Sequence, residues 1–268
     1  MKVYVAGLRD ISLIDYPRKP SIVIWLQGCN FKCHYCYNYE LWNIREENCI
    51  EIEKLINKIR ENTKWIEACK ITGGEPTIQP EALEVIGEEC KRLKLNFGID
   101  TNGTKPEIVR KLIENELIDH MAIDLKAPLN PEDYSKIVGV KLNENDVERI
   151  KETLKTALES PIRNVEIRIP IIRGLNNDAE KILKRRRNIL EAGYMENIRK
   201  DMKEVSIEIL EVIHEVSADE ELRKRRNLTV KELVEIGEIM NLPKTFVRHR
   251  KLGLRESLNQ AKKIMEKT

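Results

Sequence analysis

Between residues 21 and 213 the sequence switches six times from a short, nearly uncharged apolar run to a stretch with apolar residues at helical spacing. The apolar runs, at 21–26, 69–72, 96–100, 120–125, 165–172 and 205–213, have the pattern of strands buried on both faces. Between them, Ile52, Leu55, Ile56 and Ile59 share one side of a helix, as do Leu83, Ile86, Cys90 and Leu93, and again Val147, Ile150, Leu154 and Leu158. Strands that alternate with helices require right-handed crossovers and a parallel sheet. Six units are fewer than a closed α/β barrel needs. The expected fold class is α/β, an open partial (βα)6 barrel, with a doubly wound sheet as the competing architecture. In either, ligands sit at the C-terminal ends of the strands. Residues 1–222 are read as the barrel domain. Residues 223–268 are read as a small C-terminal appendage packed on it, with a helix begun by a Thr229–Glu232 capping box, a strand at 246–248 and a further helix.

The chain has 268 residues, 41% of them hydrophobic and 34% charged, which excludes a disordered chain and a membrane bundle. No apolar run approaches the roughly 18 residues that span a bilayer, and the first nine residues lack a signal-peptide pattern. A cytoplasmic chain without a membrane partner is expected. The formal net charge of +2 exerts no general pull on nucleic acid. Two basic runs, at 184–187 and 223–226, read as solvated helix faces.

Three of the six cysteines, Cys29, Cys33 and Cys36, follow the first strand in a C-x3-C-x2-C pattern. Clustered cysteines in such a chain point to metal or redox chemistry. A zinc site would take these three with His34 or Cys49 as the fourth ligand. A polynuclear iron centre held by three thiolates would keep one position open to an external ligand. Cys69 and Cys90 fall on core faces and read as packing.

Several other residues stand at strand ends. Gly73 and Gly74 lack the Cβ that would keep a ligand from the backbone. Asp100 and Asp124 end adjacent strands, where two carboxylates repel unless donors or a cation lie between them. Lys126 stands two residues past Asp124, Arg168 lies within a buried strand and demands an anionic partner, and His214 closes the last strand.

The cysteine loop with Tyr35 inside it, followed behind the next strand by Thr72-Gly73-Gly74-Glu75-Pro76, resembles the radical S-adenosylmethionine (radical SAM) superfamily. Within it the chain is similar to the activating enzymes of glycyl-radical enzymes, most closely to activators of anaerobic ribonucleoside-triphosphate reductase. The narrower likeness rests on Ser12-Leu13-Ile14-Asp15-Tyr16-Pro17, Gly28-Cys29-Asn30-Phe31, Tyr37-Asn38-Tyr39-Glu40-Leu41, Asp100-Thr101-Asn102-Gly103 and Asp124-Leu125-Lys126. The resemblance implies an anaerobic oxidoreductase. Cys29, Cys33 and Cys36 would hold a [4Fe–4S] cluster whose open iron takes S-adenosylmethionine. Tyr35, Gly73, Gly74, Glu75, Asp100, Asn102, Asp124, Lys126, Arg168 and His214 would contact that cofactor, and Asp100, Thr101 and Asp124 match a monovalent cation site. It further implies a glycyl-radical partner enzyme, with anaerobic ribonucleotide reductase first, and a one-electron donor such as a flavodoxin or ferredoxin. Two other readings compete: a small-molecule radical SAM enzyme such as a 7-carboxy-7-deazaguanine synthase, and a zinc-stabilised binding module.

Overall fold

The computed structural model describes residues 1–199, 203–253 and 255–265. Its strands are β1 (Lys2–Ser12), β2 (Ser21–Leu26), β3 (Cys49–Glu51), β4 (Ala68–Gly73), β5 (Asn96–Thr101), β6 (His120–Asp124), β7 (Asn164–Ile171), β8 (Glu204–Glu211), β9 (Thr245–Arg248) and β10 (Glu256–Ser257). They form one sheet in the order β10-β9-β8-β7-β6-β5-β4-β2-β1-β3. From β2 through β9 all neighbours are parallel. The edges β3 and β10 pair antiparallel and do not meet, so the barrel stays open.

The helices are α1 (Ile52–Asn62), α2 (Pro80–Arg92), α3 (Pro106–Glu114), α4 (Pro131–Val138), α5 (Glu144–Glu159), α6 (Ala179–Glu191), α7 (Tyr194–Asn197), α8 (Glu220–Arg223), α9 (Val230–Met240) and α10 (Leu258–Met265). Their starts are written locally. The Asn130 side chain caps α4 ahead of Pro131, Asn143 and Asp146 form a capping box on α5, and Thr229 and Glu232 form the expected one on α9. Among the described residues, no helix is long and apolar enough to cross a membrane.

The two faces of the sheet differ in chemistry. Ile22, Ile24, Ile71, Ile99, Ile123, Ile167, Ile169, Ile207 and Ile209 point outwards beneath the helices and are fully or almost fully buried. Each such side chain contributes about 1.5–3 kcal/mol through burial. The alternate residues face the lumen, and among them Lys70, Asp100, His120, Glu166, Arg168 and Glu208 are charged or polar, interspersed with small or apolar residues such as Val23, Gly98 and Ala122. The lumen is therefore held by ion pairs, with the apolar core outside it.

Two features extend the sequence reading. β1 runs antiparallel to β2 and adds a strand before the first expected one. β9, within the C-terminal segment, continues the parallel sheet next to β8. The β1–β2 connection crosses the lower mouth of the barrel. There the buried Tyr16 ring lies 5.1 Å from the His120 ring, and Arg18 pairs with Glu204.

Gly98 makes room for Tyr16: a Cβ there would stand 2.8 Å from Cε2 of the ring. Gly98→Ala should lower unfolding stability by about 1–3 kcal/mol, the usual effect of overpacking. In a double-mutant cycle, Tyr16→Val should lessen that loss. An equal loss in both backgrounds, measured by urea denaturation, would rule out the steric explanation.

Candidate functional site

The cysteine loop hangs from several βα units at once. Gly28 and Cys29 donate their N–H groups to the carbonyls of Leu41 and Trp42, at 2.8 and 3.0 Å. Lys32 donates to Val138 at 2.8 Å and His34 to Ile137 at 3.3 Å, so the loop uses carbonyls at the end of α4. Gly139 takes φ +68° there, and a Cβ would stand 2.2 Å from the Lys32 carbonyl oxygen. Asn30 donates to Thr104 and accepts from Asn102, both at 2.8 Å. On the far side, Asp219 donates its N–H to the His34 carbonyl, and its carboxylate lies 3.1 Å from His34 Nδ1.

The loop after β4 is laced to the cysteine loop still more tightly. Gly74 N–H donates to Leu26 at 3.0 Å and Glu75 N–H to Gly28 at 2.8 Å. A Cβ on Gly73, which has φ +121°, would lie 2.2 Å from the Leu26 oxygen, and one on Gly74 would lie 2.1 Å from the Gly28 oxygen. The glycines are thus required by backbone approach as well as by any ligand above them. Glu75 is buried and accepts four hydrogen bonds: from the Thr77 N–H and hydroxyl, from the Thr101 hydroxyl and from the Asn102 N–H, at 2.6–3.1 Å. Burial raises its pKa while those donors oppose the rise. Its carboxylate ties the end of β4 to the end of β5.

These loops and the strand ends enclose a cavity of about 390 Å³, within the range of a small-molecule site. Cys29, Cys33, Tyr35, Cys36, Gly73, Gly74, Glu75, Asp100, Thr101, Asn102, Asp124, Lys126 and Arg168 all line it. His214 does not. It is fully buried, with Nδ1 3.1 Å from the Arg226 carbonyl, and burial lowers its pKa. Its place at the wall is taken by Ile213 and Val216, which with Tyr37 form an exposed apolar rim.

The thiols are not paired with one another. Burial pushes Cys29 up to about 12 and Cys33 up to about 11, and also raises Cys36, so loading a metal must displace protons. Neither candidate for a fourth zinc ligand is at hand: His34 turns to Asp219, and Cys49 lies in β3, outside the cavity lining. Among the described residues, no His, Cys, Asp and Glu side chains form a ready single-ion site. Three thiols around a cavity suit a polynuclear cluster, which keeps its ligands farther apart than one ion does. The residues present therefore fit a cluster with one position left for an external ligand.

The floor of the cavity is charged. Asp100 Oδ1 lies 2.6 Å from Lys70 Nζ and 3.0 Å from an Arg168 nitrogen. Burial works against its ionised form, but Arg168 and Lys70 outweigh that and hold the carboxyl below its usual range. Arg168 also donates to Glu166 at 3.0 and 3.1 Å. Lys126 Nζ lies 2.7 Å from Asp124 and donates to the Tyr35 hydroxyl at 3.1 Å. Burial opposes the charge on Lys126, yet Asp124 raises its pKa well above the ordinary value.

Two positioning groups escaped the sequence reading. Lys70 sits at the centre of an apolar strand. Arg185, within a basic run expected at the surface, is fully buried and donates to the Asn176 carbonyl at 2.6 Å. The Asn176 amide donates to the Lys126 carbonyl at 2.9 Å, which fixes the backbone on which Lys126 stands. The period of α6 was the available signal for Arg185, since Ile182, Arg185 and Ile189 share its buried side.

The Radical SAM superfamily profile matches residues 23–185. The chain is 32% identical to a Methanocaldococcus jannaschii protein named for glycyl-radical enzyme activation, over 89% of this chain and 92% of that one. It is 26% identical to the pyruvate formate-lyase-activating enzyme of Clostridium pasteurianum, over 86% of this chain and 98% of that one. The solved structure of a radical SAM methyltransferase from Sphaerobacter thermophilus superposes with a TM-score of 0.65 at 15% identity, over 87% of this chain and 67% of that one, which speaks for the fold.

Glu75→Gln would turn one amide N–H group against a donor that Glu75 now satisfies. It should cost about 1–3 kcal/mol of stability, read as a lower thermal midpoint, while anaerobic iron uptake persists. An unchanged midpoint would show that the carboxylate does not hold the two loops together.

Proposed function

Because the chain belongs to the radical SAM superfamily, we propose that it is an activating enzyme which uses a [4Fe–4S] cluster and S-adenosylmethionine to generate a glycyl radical on a partner enzyme. Anaerobic ribonucleoside-triphosphate reductase is the partner that the sequence likeness favours. One observation carries the reading: three unpaired thiols line a cavity whose wall, among the described residues, offers no fourth His or Cys. When bound, the cluster and cofactor supply one-electron cleavage of the sulfonium and removal of hydrogen from a glycine Cα.

This chain's residues bind and orient. Cys29, Cys33 and Cys36 would hold iron as thiolates. Backbone carbonyls of the glycine loop suit an ammonium group. Lys126 and Arg168 place positive charge where a carboxylate would lie, and Asp100 and Asp124 offer acceptors to ribose hydroxyls. No side chain is needed as an acid or base in the hydrogen transfer. The open barrel and the rim of Tyr37, Ile213 and Val216 suit a macromolecular substrate that presents a flexible glycine loop. A flavodoxin or ferredoxin would deliver the electron.

The test is anaerobic reconstitution with iron and sulfide, followed by dithionite and S-adenosylmethionine. Dithionite-dependent 5′-deoxyadenosine is expected, and replacing Cys29, Cys33 or Cys36 by Ala should abolish it. Adding the reductase should yield a glycyl-radical signal on the partner. A colourless protein with one zinc, or turnover of a small substrate alone, would overturn the reading.

A further inference from the structure

Resting on the cofactor reading above, we propose that Lys70 is a positioning residue that acts as a built-in monovalent cation, so that this site binds S-adenosylmethionine without an alkali ion.

Lys70 on β4 stands opposite Gly98 on β5, and Gly98 stands opposite His120 on β6. One lumen layer thus contains a lysine, a gap and a histidine. The missing side chain at 98 leaves room for the Tyr16 ring and for the His120 imidazole that Lys70 meets. Lys70 Nζ reaches His120 Nδ1 at 2.9 Å and, one layer higher, Asp100 Oδ1 at 2.6 Å. The lysine side chain is 1% exposed, whereas Asp100 is 23% exposed and faces the cavity.

Charged groups at the cavity floor find partners within the chain. Asp100 has Lys70 and Arg168, Asp124 has Lys126, and Glu166 takes the other edge of Arg168. Arg248 and Arg255 also come within 3.9 Å of Glu166. Burial lowers the pKa of Lys70, and the Asp100 carboxylate beside it opposes that fall. Asp100 Oδ1 is already approached by two cationic groups, while the carboxylate stays partly exposed in the cavity lining. His120 does not add charge: burial and the Lys70 ammonium lower its pKa to about 4. With Nδ1 accepting from Lys70, its remaining proton lies on Nε2, 3.6 Å from Glu166. The arrangement replaces an exchangeable ion with a tethered one. A monovalent cation bound by Asp100, Thr101 and Asp124, which the family likeness implies, would add a positive charge to carboxylates already paired with Lys70, Arg168 and Lys126.

The experiment varies only the monovalent cation, at constant ionic strength: sodium, potassium or tetramethylammonium, which is too large to enter. Binding of S-adenosylmethionine to the reconstituted wild-type protein, read by equilibrium dialysis, should change by less than about twofold across the series. Lys70→Met should weaken binding about tenfold in tetramethylammonium, the size of one lost charge-assisted hydrogen bond, and sodium or potassium should restore it. Lys70→Arg should stay independent of the ion. A wild-type loss of about tenfold or more in tetramethylammonium, or a Lys70→Met protein that binds as the wild type in all three salts, overturns the proposal. The thermal midpoint of the metal-free chain gives a second readout. It should be the same in all three salts for the wild type, and higher in sodium or potassium for Lys70→Met. A wild-type midpoint that rises with sodium or potassium also overturns the proposal. If the wild type binds no S-adenosylmethionine in any salt, the cofactor reading fails, and the metal-free series still decides the role of Lys70.

Discussion

The site depends on two loops that approach more closely than any side chain would permit. The backbone behind β4 lies against the backbone behind β2, and Gly73 and Gly74 make that contact possible. Hydrogen bonds from Gly74 and Glu75 fasten it, and the Glu75 carboxylate then fastens both loops to β5. Without this arrangement the thiols would stand on a free loop, and ordering that loop would cost conformational entropy when iron binds. With it, much of that ordering is complete before any ligand arrives.

Around this contact the molecule separates two kinds of cohesion. Helices bury isoleucine, valine and leucine against the outer face of the sheet, where burial needs no precise geometry. The lumen is closed by lysine, arginine, aspartate and glutamate in contact with one another. Such pairs add little net stability after desolvation, but removing one partner leaves a buried charge without compensation. They specify positions more than they add strength, which suits a surface that must present acceptors and cations at fixed places.

The six strands, the helices between them and the cysteine loop were legible because each depends on short-range pattern: apolar runs, helical spacing, capping residues and clustered thiols. The capping box at Thr229 and Glu232 shows how local chemistry announces a helix start. What escaped depends on contacts distant in sequence. Strand β1 pairs through irregular register shifts, so its alternation is broken. The partners of Arg168 could be listed beforehand, but the choice of Asp100 and Glu166 needed the register of β5, β6 and β7. The family likeness points His214 at the cofactor, yet a short 3-10 turn begins at His214 and the imidazole is fully buried. Arg185 looked like surface charge because a run of like residues hides which one faces in.

The cysteine loop donates hydrogen bonds to α4, exchanges them with residues just past β5 and accepts one from the segment before α8, elements far apart in the chain. Whatever seats itself on that loop therefore favours the closed arrangement of the whole sheet over partly opened forms. Oxidative loss of the metal centre and susceptibility to proteases should then rise together, because the same fasteners serve both.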